Sequence, residues 1–115
     1  MPPTIEFEFG DIVLVPFPFT DQRSSKRRPA AVVSTSRYNQ GSPGVILMAV
    51  TSQPGTGGLG APISGWQEAG LVAPSTLKPV IATVERTLVI RKLGRLPEAD
   101  RTSLSGLLSN ILGSS

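Results

Sequence analysis

The sequence contains no cysteine. That absence removes disulfide staples, thiolate metal ligands and a thiol nucleophile, and it fits a reducing compartment such as the cytoplasm. Histidine is absent as well, which takes away the commonest general base and the commonest metal ligand. A catalyst built from this chain must therefore work with Arg, Lys, Asp, Glu, Ser, Thr or Tyr. No apolar run approaches the roughly 18 residues that span a bilayer. Met1 to Gly10 carry two acids and no basic leader region, so neither membrane insertion nor secretion is expected.

What is present suits a single domain over residues 1–115, because 39% hydrophobic content in 115 residues closes one compact core and not two. Eleven basic against eight acidic residues leave a net charge of +3, a modest bias toward a polyanionic partner. Position matters more than the total. Arg23, Lys26, Arg27 and Arg28 fall within six residues and make one dense positive segment.

Asp11 to Val15 is β-branched and apolar, begins after Gly10 and is ended by Pro16 and Pro18, the punctuation of a short buried strand. Residues 16–29 hold three prolines and the charge cluster without helical or strand periodicity, and read as a long loop of the kind that often carries function. Ala30 to Ser34 and Val45 to Val50 are two more apolar runs of strand length, expected to pair as a hairpin across a polar turn region at Tyr38 to Gly44. Gln53 to Gly60 holds four glycines in eight residues and is expected to be a mobile loop.

Short strands are expected at Ala61 to Ser64, Leu71 to Ala73 and Val80 to Val84, and one or two helical turns at Glu85 to Leu93 ending on Gly94. The last segment has a clear period. Pro97 suits a first helical turn, Glu98 and Asp100 favour the positive end of the macrodipole, and Leu104, Leu107, Leu108, Ile111 and Leu112 repeat at helical spacing. Short strands followed by one amphipathic helix predict a mainly β fold: a small, twisted, partly closed barrel with a C-terminal α-helix on one side.

Three segments together resemble the MazF/PemK toxin family: Gly10 to Val15 its "GD-I/V-apolar" strand, Arg28 to Ser34 its "RP-apolar-VVS" strand, and Val50-Thr-Ser52 its "I/V-T-S" strand end. Trp66 to Leu71 through Pro74-Ser75, and Thr83 to Leu96 with its "kLGrL" region, resemble the PemK-like branch. The resemblance implies an SH3-like or plasmid-toxin barrel, a homodimer, and metal-free cleavage of single-stranded RNA. It also implies neutralisation by a small antitoxin whose disordered, acidic tail lies across the active surface. Arg28 and Thr51 match the family's catalytic arginine and threonine.

Metal-free RNA cleavage uses the 2′-hydroxyl as an internal nucleophile, so the protein must handle two protons and stabilise a dianionic phosphorane. That suits a chain without His or Cys and calls for no cofactor. A guanidinium is a poor proton acceptor at neutral pH, so Arg28 is read as an electrostatic stabiliser and Thr51 as a hydroxyl donor to a non-bridging oxygen. Pro29 biases Arg28 toward extended backbone at the mouth of a strand. Asp21 is the candidate proton acceptor on position alone. Arg23, Lys26, Arg27, Ser52 and Gln53 are the candidate RNA contacts, whereas Phe17, Phe19 and Trp66 are read as packing residues.

At Ala82 the chain departs from several relatives, which carry a basic residue there. Rival readings are a non-catalytic barrel toxin that binds a protein such as DNA gyrase, and an RNA-binding SH3-like module without turnover. The gyrase-poisoning relatives resemble one another in a tryptophan near the C-terminus, whereas the only tryptophan here is Trp66.

Overall fold

The computed structural model describes residues 6–16, 26–53 and 58–113. The chain runs β1 (Asp11–Pro16), β2 (Arg27–Val32), α1 (Ser36–Gly41), β3 (Gly44–Thr51), β4 (Ala61–Ile63), β5 (Ser75–Glu85), a 3-10 turn (Arg86–Leu88), β6 (Arg91–Arg95) and α2 (Glu98–Ile111). The strands form one curled antiparallel sheet in the order β4-β5-β3-β2-β1-β6. Among the described residues, no helix is long and apolar enough to cross a membrane.

The central strands read as continuous apolar runs because both of their faces are buried. Ile12, Ala31, Met48 and Val50 point to a core closed by Leu104 and Leu107 of α2, with Leu108 and Ile111 packed at its margin. Their neighbours Val13, Val15, Ala30, Val32, Val45, Leu47 and Ala49 point the other way, into a second core that the curl of the sheet closes with Phe7 and Val84. Alternation therefore sorts residues between two cores instead of between core and water. The terminal helix matches its sequence period, except that Leu112 lies just past the helix end and is largely exposed.

Buried acids tie the elements together. Asp11 accepts the Glu8 N–H at 2.8 Å and pairs with Lys92 Nζ at 3.0 Å, linking the start of β1 to the edge strand β6. Asp100, instead of acting only on the helix dipole, accepts the backbone N–H groups of Ser64 and Gly65 at 2.9 and 2.8 Å. That bond pair fixes α2 against the turn following β4.

Three local expectations are corrected. The turn region at 38–44 overlaps α1, a short helix whose N-cap Thr35 accepts the Tyr38 N–H at 3.2 Å. Its anchor is polar: buried Asn39 donates to Phe7 O at 2.9 Å and accepts from the Ser34 hydroxyl. The strands on either side do pair, but through this helix and not by a tight hairpin. The helical turns expected at 85–93 shrink to one 3-10 turn, because Ile90 N–H donates to Leu14 O at 2.8 Å and the chain then adds β6 to the open edge of β1. Leu71 to Ala73 is not a strand; it is held by a close backbone contact at its start.

That contact joins two glycines. Gly70 has φ +84°, and a Cβ on it would lie 2.2 Å from Leu93 O; a Cβ on Gly94 would lie 2.4 Å from Ala69 O. Backbone presses on backbone, so no rotamer change relieves either substitution. Gly94→Ala is expected to destabilise the fold by about 1–3 kcal/mol, as overpacking does. Gly106→Ala, in α2 with nothing within 4 Å of its added methyl, is expected to stabilise by about 0.5–1 kcal/mol. Urea denaturation of both variants checks the opposite signs.

Candidate active site

β2 begins and β3 ends at the same end of the sheet, and their register determines what meets there. Ala30 lies opposite Ala49, Ala31 opposite Met48 and Val32 opposite Leu47. Arg28 and Thr51 lie two residues beyond that paired stretch, at the same end of the two strands. Both side chains are half-buried and line one cleft of about 220 Å³.

Each is held by its neighbours. Arg28 is paired with Val15 on β1 and followed by Pro29, which fixes an extended backbone as the strand starts. Thr51 is paired with Thr76 on β5, and its Oγ1 accepts the Gln53 N–H at 3.1 Å. That turn bond occupies one lone pair of the hydroxyl and leaves its proton to be donated elsewhere.

Arg27, Ser52 and Gln53 line the same cleft, all three exposed. Lys26 is exposed just before β2 and does not line it. Asp21 and Arg23, with Phe17 and Phe19, lie outside the described residues, as do residues 54–57 of the glycine-rich stretch. Trp66 packs against the core beneath α2, as a structural residue does.

The far wall of the cleft was not foreseen. It is the segment Leu71, Val72, Ala73 and Ser75. Leu71 is buried while Val72 is 99% exposed at the lip, and the Ser75 hydroxyl donates to Ala73 O at 2.8 Å to close the bend. The signals were Gly70 and Pro74, which bracket a segment too short to be a strand between two breakers. Ala82 sits elsewhere: it pairs with Leu47 and packs on the second core, roughly 20 Å along β5 from Thr76.

A cleft with two guanidinium groups and a hydroxyl donor suits a phosphate, since guanidinium offers charge and paired donors in one plane. A second cavity of about 220 Å³ is lined by Glu6, Phe7, Glu8, Asn39 and Arg86 among others, and its two carboxylates disfavour a polyanion.

The fold has solved counterparts. MazF from Deinococcus radiodurans is similar with a TM-score of 0.77 at 21% identity, covering 96% of this chain and 100% of that one. An endoribonuclease from a mycobacterial species, solved in complex with its cognate antitoxin, is similar with a TM-score of 0.72 at 12% identity over 93% of each chain. The Mycobacterium tuberculosis toxin MazF-mt6 gives a TM-score of 0.72 at 17% identity, covering 87% of this chain and 93% of that one. No curated protein sequence matches the chain significantly. The family model for the PemK-like, MazF-like toxin of type II toxin-antitoxin systems matches residues 8–112, and the chain belongs to that family.

Proposed function

We infer that the Arg28 and Thr51 cleft is the active site of a metal-independent endoribonuclease acting on single-stranded RNA, and that its cutting of messenger RNA halts translation. The observation that carries the reading is that Arg28 and Thr51, at the same end of the neighbouring strands β2 and β3, line one cleft of about 220 Å³. In the reaction the 2′-oxygen forms a bond to the adjacent phosphorus while the bond from phosphorus to the 5′-oxygen breaks. The 2′-hydroxyl proton passes to an acceptor, for which Asp21 is the candidate, and a proton is delivered to the departing 5′-oxygen. Arg28 stabilises the dianionic phosphorane, and the Thr51 hydroxyl donates to a non-bridging oxygen. Arg27, Ser52 and Gln53 hold the strand at the lip, with Lys26 and Arg23 adding attraction from the chain leading into β2.

Purified protein is expected to cut unstructured RNA in EDTA and leave a 2′,3′-cyclic phosphate and a 5′-hydroxyl. Arg28→Ala and Thr51→Val should each lower the cleavage rate by about 10²–10³, the loss typical of one oxyanion donor, with unchanged circular dichroism and thermal midpoint. Thr51→Ser, which restores the hydroxyl, should recover most of the rate. Intact RNA of every sequence after incubation with folded wild-type protein would sink the reading and leave a binding module.

The same surface is proposed to take the antitoxin, whose acidic segment answers the guanidinium groups at the cleft, and the working toxin is proposed to be a homodimer. Light scattering should return twice the 12.1 kDa chain mass. The cognate antitoxin should displace a fluorescent RNA from the wild type, in a competition that weakens with added salt; simultaneous binding of both would contradict a shared surface.

A further inference from the structure

The cleft has two unlike walls. Arg27, Arg28, Thr51, Ser52 and Gln53 bring guanidinium, hydroxyl and amide groups to it from β2 and the end of β3. Leu71, Val72 and Ala73 line it with hydrocarbon. The one side-chain donor beside them, the Ser75 hydroxyl, is engaged with Ala73 O at 2.8 Å.

Val72 stands apart on this apolar wall. Leu71 is buried in the core beneath α2, whereas Val72 is 99% exposed. A lone exposed valine is ordinary on a protein surface; one that lines a cleft on a well-tethered backbone is differently placed. Gly70 N–H donates to Gln67 O at 3.1 Å and Leu71 N–H to Trp66 O at 3.0 Å, which ties the chain just before Val72. The Ser75 to Ala73 bond closes the bend just after it. A β-branched side chain has little freedom at χ1, so two methyl groups are presented at a defined place beside the polar wall and are covered by nothing among the described residues.

We propose that Val72 is a base contact: the nucleobase beside the phosphate held by Arg28 and Thr51 rests on the Val72 methyl groups, so that residue 72 takes part in choosing which base is accepted there. The proposal rests on the reading of the cleft as an RNA site. Contacts to phosphate position a nucleic acid and carry no sequence information, whereas contacts to bases specify it. The polar wall suits the backbone. The apolar wall has no free side-chain donor, so it reads a base by shape and hydrocarbon contact, each covered methyl contributing about fourfold in affinity. Val72 acts on binding and touches no reacting atom.

The test compares two uncuttable probes of about 8 nucleotides, within the range of common single-strand site sizes: a mixed-sequence 2′-O-methyl oligonucleotide and a fully abasic one with the same number of phosphates. By fluorescence anisotropy the wild type should bind the base-bearing probe more tightly. Val72→Ala removes both methyl groups and should weaken that binding by about tenfold while leaving affinity for the abasic probe unchanged. Arg28→Ala should weaken both probes alike, as loss of a phosphate contact does. Leu112→Ala truncates an exposed apolar side chain that lines no part of the cleft, and should change neither affinity. Thermal midpoints should stay at the wild-type value in the Val72 and Leu112 variants.

Unchanged affinity of Val72→Ala for the base-bearing probe would overturn the proposal. So would an equal loss on the abasic probe, which would mark a disturbed cleft, an equal loss in Leu112→Ala, which would mark general surface adhesion, or a wild type indifferent to bases. Cleavage of random-sequence RNA is mapped in parallel, and Val72→Ala should change the base preference at one position beside the cut. No cutting, with base-dependent binding lost in Val72→Ala alone, would defeat the nuclease reading and still support the contact; a wild type that binds neither probe would sink both.

Discussion

The register of β2 against β3 is the constraint on which the rest depends. It sends Ala31 and Met48 to the core beneath α2 and Ala30 with Ala49 to the opposite core. A slip of one residue would exchange those sets. It would also shift Arg28 relative to Thr51, which lie just beyond the paired stretch at the same end of the two strands. Hydrophobic sorting over the middle of the strands thus places two polar groups at their end, and the free energy that holds the site comes from methyl groups remote from any phosphate.

Electrostatic function is divided along similar lines. Asp11, Asp100 and Glu8 are engaged with the chain itself, through backbone N–H groups or the cations of β6. Asp11 and Glu8 thereby secure the start of β1 against β6, and Asp100 holds α2 against the turn after β4. A net charge of +3 is unremarkable in size; its effect comes from where the compensating carboxylates are spent.

Strands buried on both faces announce themselves as uninterrupted apolar runs, which is why β1, β2 and β3 were legible in the sequence, as was α2 from its helical period. α1 was not, since its anchor is the hydrogen-bonded Asn39 and not an apolar stripe. β6 was hidden for another reason: Arg91 to Arg95 becomes a strand only by pairing with β1, distant in sequence, and local propensity carries no trace of that partner. At the site, Arg28 and Thr51 were marked by motif, whereas their meeting in one cleft and the wall at Leu71 to Ser75 are properties of the folded chain. The Gly70 to Gly94 approach was likewise invisible, although both glycines stood in the matched segments.

That approach has a bearing on how the cleft can vary. Gly70 is clamped against Leu93 and Gly94, and Leu71 is buried, yet Val72 between this anchor and Ala73 exposes nearly its whole side chain. The backbone of the lip is immobilised by contacts that ignore the identity of residue 72. The fold therefore offers one adjustable tooth on a fixed jaw, a place where size, polarity or charge can be exchanged beside the cleft with little penalty to stability.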